Sequence, residues 1–578
     1  MCDDSWTLDH YHRAVLNTFL RRLERDKPSL AAEEARAGSH DGLSIGRQLL
    51  DKGSAKWGPG TVPRIPYCHA GRSTVTTTSQ PARIEGVMTT AESDELHFAT
   101  AKDLVNMLAA RKISASELFE LAVKRIDASD RRINAVVVRD FERAYQAAKA
   151  ADSALARGVR AALLGVPMTV KEAYNVAGLP TTWGFATAKD FRPTEDALAV
   201  TRVKAAGAVI LGKSNVPVFL SDWQSYNDVY GTTNNPWDVT RTPGGSSGGS
   251  AASLAAGLGF LELGSDVGGS LRTPAHYCGV FAHKPSLGLV PMRGHTPPHV
   301  PALPVESDLA VIGPMARSAS DLELALDIIA GPDDQSNAVA YRLALPPPRH
   351  QELKSFRILI IDAHPLIPTA SNVRSALERV ATALRRLGTK VAHSSPLLPD
   401  LADAGRLYTR LLSSTFGAYL PEDQYLRVAE AFKALATTDD SLAACRTRGT
   451  VISHRDWRIA DLARLRLRQQ WRELFREWDV VLCPPMPTVA FRHDHTSEQK
   501  DRRIDIDGKL YPYPDQIVWP GVATVAGLPA TAAPIGLSDE DLPIGVQIIG
   551  PYLEDRTTIR FAELIERELG GFEPPPNI

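Results

Sequence analysis

The chain has 578 residues and a mass of 62.7 kDa, enough for one large domain or several. Its hydrophobic (44%) and charged (23%) fractions are ordinary for a globular protein, and a formal net charge of -2 argues against nucleic-acid binding by bulk electrostatics. Cys2, Cys68, Cys278, Cys445 and Cys483 are odd in number and far apart, which fits neither a disulfide framework nor a metal spacing, and no apolar run approaches the length of a membrane span.

Few cysteines point to a reducing compartment. Near the N-terminus Leu16, Phe19 and Leu20 are followed at once by Arg21 and Arg22, which is not a secretory apolar region. A cytoplasmic protein with no membrane partner is the expectation. Residues 1–87 read as an N-terminal extension, partly helical or poorly ordered. Leu8 to Arg25 could form an amphipathic helix, with Val15, Phe19 and Leu23 spaced four apart, and it is the stretch a homodimer would use. From Gly38 the composition becomes loop-like, and residues 88–578 are expected to be the working domain.

Regular patterning begins near Asp103. Ser114 and Glu117 make a capping box that starts a helix through Leu118, Leu121 and Ala122. A second helical pattern runs from Ala144 to Leu155. Gly165 to Lys171 reads as a short strand ending on a lysine, and Ala208 to Leu211 as another. Thr242 to Pro274 carries two Gly/Ser clusters, Gly244 to Ser250 and Gly268 to Ser270, around an apolar run. Glycine permits close backbone approach, and successive N–H groups can form an anion-binding concavity. A hydroxyl set there suits acyl transfer.

Farther on, strands and helices alternate. Arg357 to Ile361 is a strand; Val373, Leu377, Val380, Leu384 and Leu387 mark a helical face stopped by Gly388; Lys390 to Ala392 starts another strand. This β-α-β pattern favours a sheet covered by helices. Ile459 to Trp478 is helical, Asp479 to Cys483 a strand, Ala530 to Ile535 and Ile544 to Ile549 two more, and Asp555 to Leu569 a helix stopped by Gly570.

Three patterns compete for the chemistry. Gly207 to Ser214 matches the phosphate-loop pattern G-x-x-x-x-G-K-S, but its variable positions, Ala-Val-Ile-Leu, look like a buried strand. Gly245-Ser246-Ser247-Gly248-Gly249 matches the nucleophile elbow G-x-S-x-G, but a turn, Arg241 to Gly244, stands where an apolar strand is needed. His493-Asp494-His495 reads as solvated loop rather than a metal site.

The third pattern joins Lys171, Ser246 and Ser270. It includes Gly-Val-Pro-Met-Thr-Val-Lys171-Glu, Gly-Gly-Ser246-Ser247-Gly-Gly-Ser, Gly264-Ser-Asp266-Val-Gly-Gly-Ser270-Leu-Arg272-Thr-Pro, and the later Leu542-Pro-Ile-Gly-Val-Gln-Ile-Ile-Gly. At these residues the sequence resembles the amidase signature family of serine hydrolases, from about residue 88 onward. The resemblance implies an α/β fold, with one large mixed β-sheet covered by helices on both faces. It implies a Ser–Ser–Lys triad: Ser270 as nucleophile, Ser246 after a cis peptide bond as relay, and Lys171 as a neutral base. The N–H groups of Val267, Gly268, Gly269 and Ser270 would form the oxyanion hole. Asp266 and Arg272 would be structural and fix that loop, and Ser247 would orient the triad by hydrogen bonding.

By the same resemblance Leu220, Asp222 and Trp223 line the acyl side, and Trp183, Trp223 and Trp519 could build an aromatic pocket. The substrate would be a small-molecule amide, with an aryl or hydrophobic amide, ester or carbamate all open, and with no nucleic-acid partner, metal or organic cofactor. Two alternatives stand beside this. One is the glutaminase subunit of a tRNA-dependent amidotransferase; the other is a non-catalytic scaffold or binding protein.

Overall fold

A computed structural model describes residues 95–304 and 307–576. The expected extension and its candidate helix at Leu8 to Arg25 lie outside the described residues. Three strands, β1 (Val136–Arg139), β2 (Pro167–Lys171) and β3 (Val209–Ser214), form a small sheet in the order β1-β3-β2. Eight more are β4 (Glu262–Asp266), β5 (Phe281–Lys284), β6 (Val311–Ala316), β7 (Arg357–Ile360), β8 (Lys390–Ala392), β9 (Val480–Cys483), β10 (Ala530–Leu537) and β11 (Pro543–Ile549). They form one sheet in the order β8-β7-β9-β11-β10-β5-β6-β4. It is mixed: β8, β7 and β9 run parallel, and every other neighbouring pair is antiparallel.

Helices cover both faces of this sheet, and alternation along the strands shows how. Phe281 and Ala316 belong to the large core, while their chain neighbours Ala282 and Met315 belong to a small cluster with Ala251, Leu254 and Ala275. Successive strand side chains point to opposite faces, so one face packs under the helices Gly248–Ala255 and Arg272–Cys278. The other meets Ala319–Ile329 and Asp555–Leu569. Strands buried on both faces lose the polar alternation of an exposed sheet, which is why β4, β5, β6, β9 and β11 are buried throughout.

Local signals placed several elements correctly. Ser114 caps Ala115–Ile133, and its hydroxyl and backbone bonds with Glu117 complete the capping box. The G-x-x-x-x-G-K-S pattern is strand β3, not a phosphate loop. Its Lys213 is buried and donates to the Thr181 hydroxyl at 2.8 Å and to the Pro180 carbonyl. Gly212 lies so close to β1 that a Cβ there would meet the Val138 carbonyl oxygen at 2.0 Å. Among the described residues, no helix is long and apolar enough to cross a membrane.

Candidate active site

Lys171 ends β2, fully buried, and pairs in parallel register with Ser214 of β3. Its Nζ lies 2.7 Å from Ser246 Oγ, 3.0 Å from Ser247 Oγ and 2.9 Å from Ser265 Oγ. The two serines at 246 and 247 sit in the loop that enters the helix Gly248–Ala255, and the Gly245–Ser246 peptide bond is cis. Gly245 is needed for close approach, since a Cβ there would meet the Asp222 carbonyl oxygen at 2.3 Å. No strand feeds this loop. That leaves the nucleophile elbow without its scaffold.

Burial pushes the Lys171 ammonium down to about 7, against the pull of Asp266 and Glu262. A lysine near that value has an unprotonated population at neutral pH and can accept a proton. Glu262, buried behind it, is pushed up to about 8 by burial although hydroxyls hydrogen-bond to it. Ser265, on β4, is a contact of Lys171 that sequence reasoning did not single out. Nothing in a lone Gly-Ser-Asp step marks a serine as facing a lysine 94 residues away.

The loop after β4 is held from below by Asp266 and Arg272, both fully buried in their side chains. Asp266 Oδ1 accepts from Gly269 N–H at 3.0 Å and from Arg272 Nη2 at 2.7 Å; Oδ2 accepts from Leu271 N–H at 3.1 Å and Arg272 Nε at 3.0 Å. Burial works to raise the Asp266 carboxyl, but the Arg272 charge and these bonds outweigh it and hold it below the usual range. Arg272 also donates to Gln547 Oε1 at 2.8 Å and the Pro520 carbonyl at 2.9 Å. Such a pair is costly to break because its partner is left as an uncompensated buried charge. Asp266→Ala should therefore destabilise the fold by about 3–5 kcal/mol, read as a lower Tm; a Tm within experimental error of wild type would contradict the supporting role.

The Gly269 bond corrects one expectation. Its N–H is spent on Asp266, so Gly269 is not a free oxyanion donor as the sequence suggested. A neighbouring carboxylate in reach claims the donor in the resting loop. The carbonyls of this loop are tied back as well: Trp223 Nε1 donates to Gly268 at 2.8 Å, and the Tyr408 hydroxyl donates to Val267.

Val267, Gly268 and Ser270 line a cavity of about 370 Å³. Leu220, Asp222 and Trp223 line it too, as do Phe219 and Phe416. Asp222 is nevertheless not open to a ligand. Its two carboxylate oxygens accept from Arg502 Nη1 and the Tyr513 hydroxyl, both at 2.6 Å. A buried carboxylate needs such partners; here they come from about 280 residues downstream. Trp519 is a correction as well. It is fully buried, set edge-on to His364, and belongs to the core rather than the pocket. Trp183 sits in a satellite cluster with Phe185 and Ala188, its ring 6.2 Å from that of Phe219.

Residues 117–559 match the Amidase family. The chain belongs to the amidase signature family. It is 33% identical over 491 residues to one of the subunits of the glutamyl-tRNA(Gln) amidotransferase of Anaeromyxobacter sp. (strain K), covering 81% of this chain and 96% of the relative. It is 30% identical over 511 residues to fatty-acid amide hydrolase 2-A of Danio rerio, covering 84% and 91%. A bacterial aryl acylamidase of the same family superposes with a TM-score of 0.69 at 23% identity, covering 82% of this chain and 97% of that one, a likeness of fold. This amidase is therefore an enzyme of amide C–N bond hydrolysis with the α/β family fold.

Proposed function

We propose that the chain hydrolyses amides of apolar or aromatic acyl groups through a Ser270 acyl-enzyme, with residues 88–578 as the working domain. The observation that carries this is Lys171 Nζ at 2.7 Å from Ser246 Oγ beside a cavity lined by Ser270. Ser270 Oγ attacks the carbonyl carbon and gives its proton to Ser246, as Ser246 passes its own to Lys171. The oxyanion is met by N–H groups of Val267, Gly268 and Ser270. A proton returns from Lys171 through Ser246 to the leaving nitrogen, and the C–N bond breaks. Water then attacks the acyl carbon and gives a proton through Ser246 to Lys171; the bond from that carbon to Ser270 Oγ breaks as the proton returns along the same path to Ser270, and the acid leaves. Asp266 and Arg272 hold the loop, and Ser247 hydrogen-bonds Lys171.

The cavity favours an apolar acyl group. Phe219, Leu220, Trp223 and Phe416 supply carbon surface, and Asp222 is already neutralised by Arg502. The amidotransferase relatives favour a second reading, glutamine hydrolysis within a tRNA-dependent amidotransferase. The isolated chain assayed on benzoyl, medium-chain acyl and glutamine amides separates them. Turnover of the first two without partner subunits supports the proposal; glutamine turnover alone, appearing only with partner subunits, would reject it. Phe416→Ala should raise KM for the apolar amides about 10-fold, the worth of part of a buried aromatic ring. An unchanged KM would place the acyl group elsewhere.

A further inference from the structure

Three hydroxyls surround Lys171, and the proton relay needs only one of them. A neutral amine has two N–H bonds and one lone pair, while a hydroxyl has one hydrogen and two acceptor positions. For Ser246 to hand a proton to Lys171, the lone pair must face Ser246 and both N–H bonds must be accepted elsewhere. Ser247 Oγ already donates to the Ser265 carbonyl at 3.3 Å and accepts from Ser265 N–H at 3.3 Å. Its hydrogen is spent, and it has one acceptor position left for Lys171. Of the two hydroxyls that remain, Ser246 is the nearer, at 2.7 Å against 2.9 Å for Ser265.

We infer that Ser265 is a positioning residue: with Ser247 it accepts the two N–H bonds of neutral Lys171 and so turns the lone pair to Ser246. This rests on the proton relay proposed above. The same three oxygens then accept the three N–H bonds of the ammonium once the proton arrives. No group has to move between the two states, which is the arrangement a fast relay needs. The Ser265 hydroxyl meets Lys171 Nζ at 2.9 Å, and its effect on the reaction passes through that amine.

Removing the Ser265 hydroxyl takes one acceptor from both forms of the lysine. The charged form loses more, because hydrogen bonds from an ionised donor are the stronger. Glu262 and Asp266 on β4, and His295 from the loop after β5, also face Lys171 and stay in place in the variant. In Ser265→Ala the acidic limb of kcat/KM should therefore move to lower pH by about one unit, and the plateau should fall about 10-fold as the amine loses its fixed orientation. KM should hold. Ser265→Thr, which keeps the hydroxyl, should restore limb and plateau, with Tm showing that both variants fold.

A Ser265→Ala acidic limb at the wild-type position would overturn the inference, as would a folded Ser265→Thr enzyme no better than the alanine variant. Lys171→Ala, assayed alongside, separates the two claims. If it keeps amide turnover, the lysine relay itself is wrong. If it loses turnover while Ser265→Ala behaves as wild type, the relay stands and only the role of Ser265 falls.

Discussion

Ser270→Ala should lower amide kcat by about 10⁴- to 10⁶-fold, the loss expected when a nucleophile is removed from a unit that works together. The fold should survive, because Ser270 contributes little packing and its loop is anchored by Asp266 and Arg272. Substrate should still bind, since the apolar walls at Phe219, Trp223 and Phe416 are untouched. Rate and affinity thus separate: single-turnover acylation vanishes while binding of a substrate amide, read by equilibrium titration, persists. A folded Ser270→Ala enzyme with turnover within about 10-fold of wild type, far short of a nucleophile's usual share, would move the chemistry to another residue.

Lys171→Ala should slow acylation by amides by about 10²- to 10⁴-fold, the usual share of a general base. Esters should lose less, because an alkoxide leaving group needs a proton less than an amine does. Lys171→Arg should not rescue, since a guanidinium stays charged and cannot accept the proton. In the wild type, burial brings Lys171 down to about 7, so the sign of the pH effect is fixed. Below about 7 the lysine is protonated and kcat/KM falls tenfold per unit; above it the base is free and the rate levels off. An arginine variant with near-normal amide turnover would make Lys171 a structural cation.

The parts of this site that were legible in the sequence are those with local causes. Small residues and hydroxyls between Gly244 and Ser270 announce a backbone that must come close to something. Val170 before Lys171 and the apolar run of β3 announce buried strands, which is why the lysine is dry. What was not legible depends on contacts made only after folding. Arg502 reaches Asp222 across 280 positions, and no pattern near either residue says that the carboxylate is taken. Gly269 looked like an oxyanion donor until Asp266, three residues back, claimed its N–H. Trp519 carries the same aromatic signal as Trp223, yet one fills the core and the other the cavity wall. Ser265 is a strand serine like any other until β2 packs against β4 and brings Lys171 Nζ within 2.9 Å of it.

The central claim is that Ser270, and neither Ser246 nor Ser247, forms the covalent bond. A fluorophosphonate traps the nucleophile, and trypsin then releases Thr242 to Arg272 as one peptide, because no Lys or Arg lies between them. That peptide contains every competing serine, so the site must be read from its fragment ions. The adduct mass should sit on the C-terminal fragments that contain Ser270 and should be lost in Ser270→Ala. An adduct on the N-terminal fragments, at Ser246 or Ser247, would contradict the mechanism.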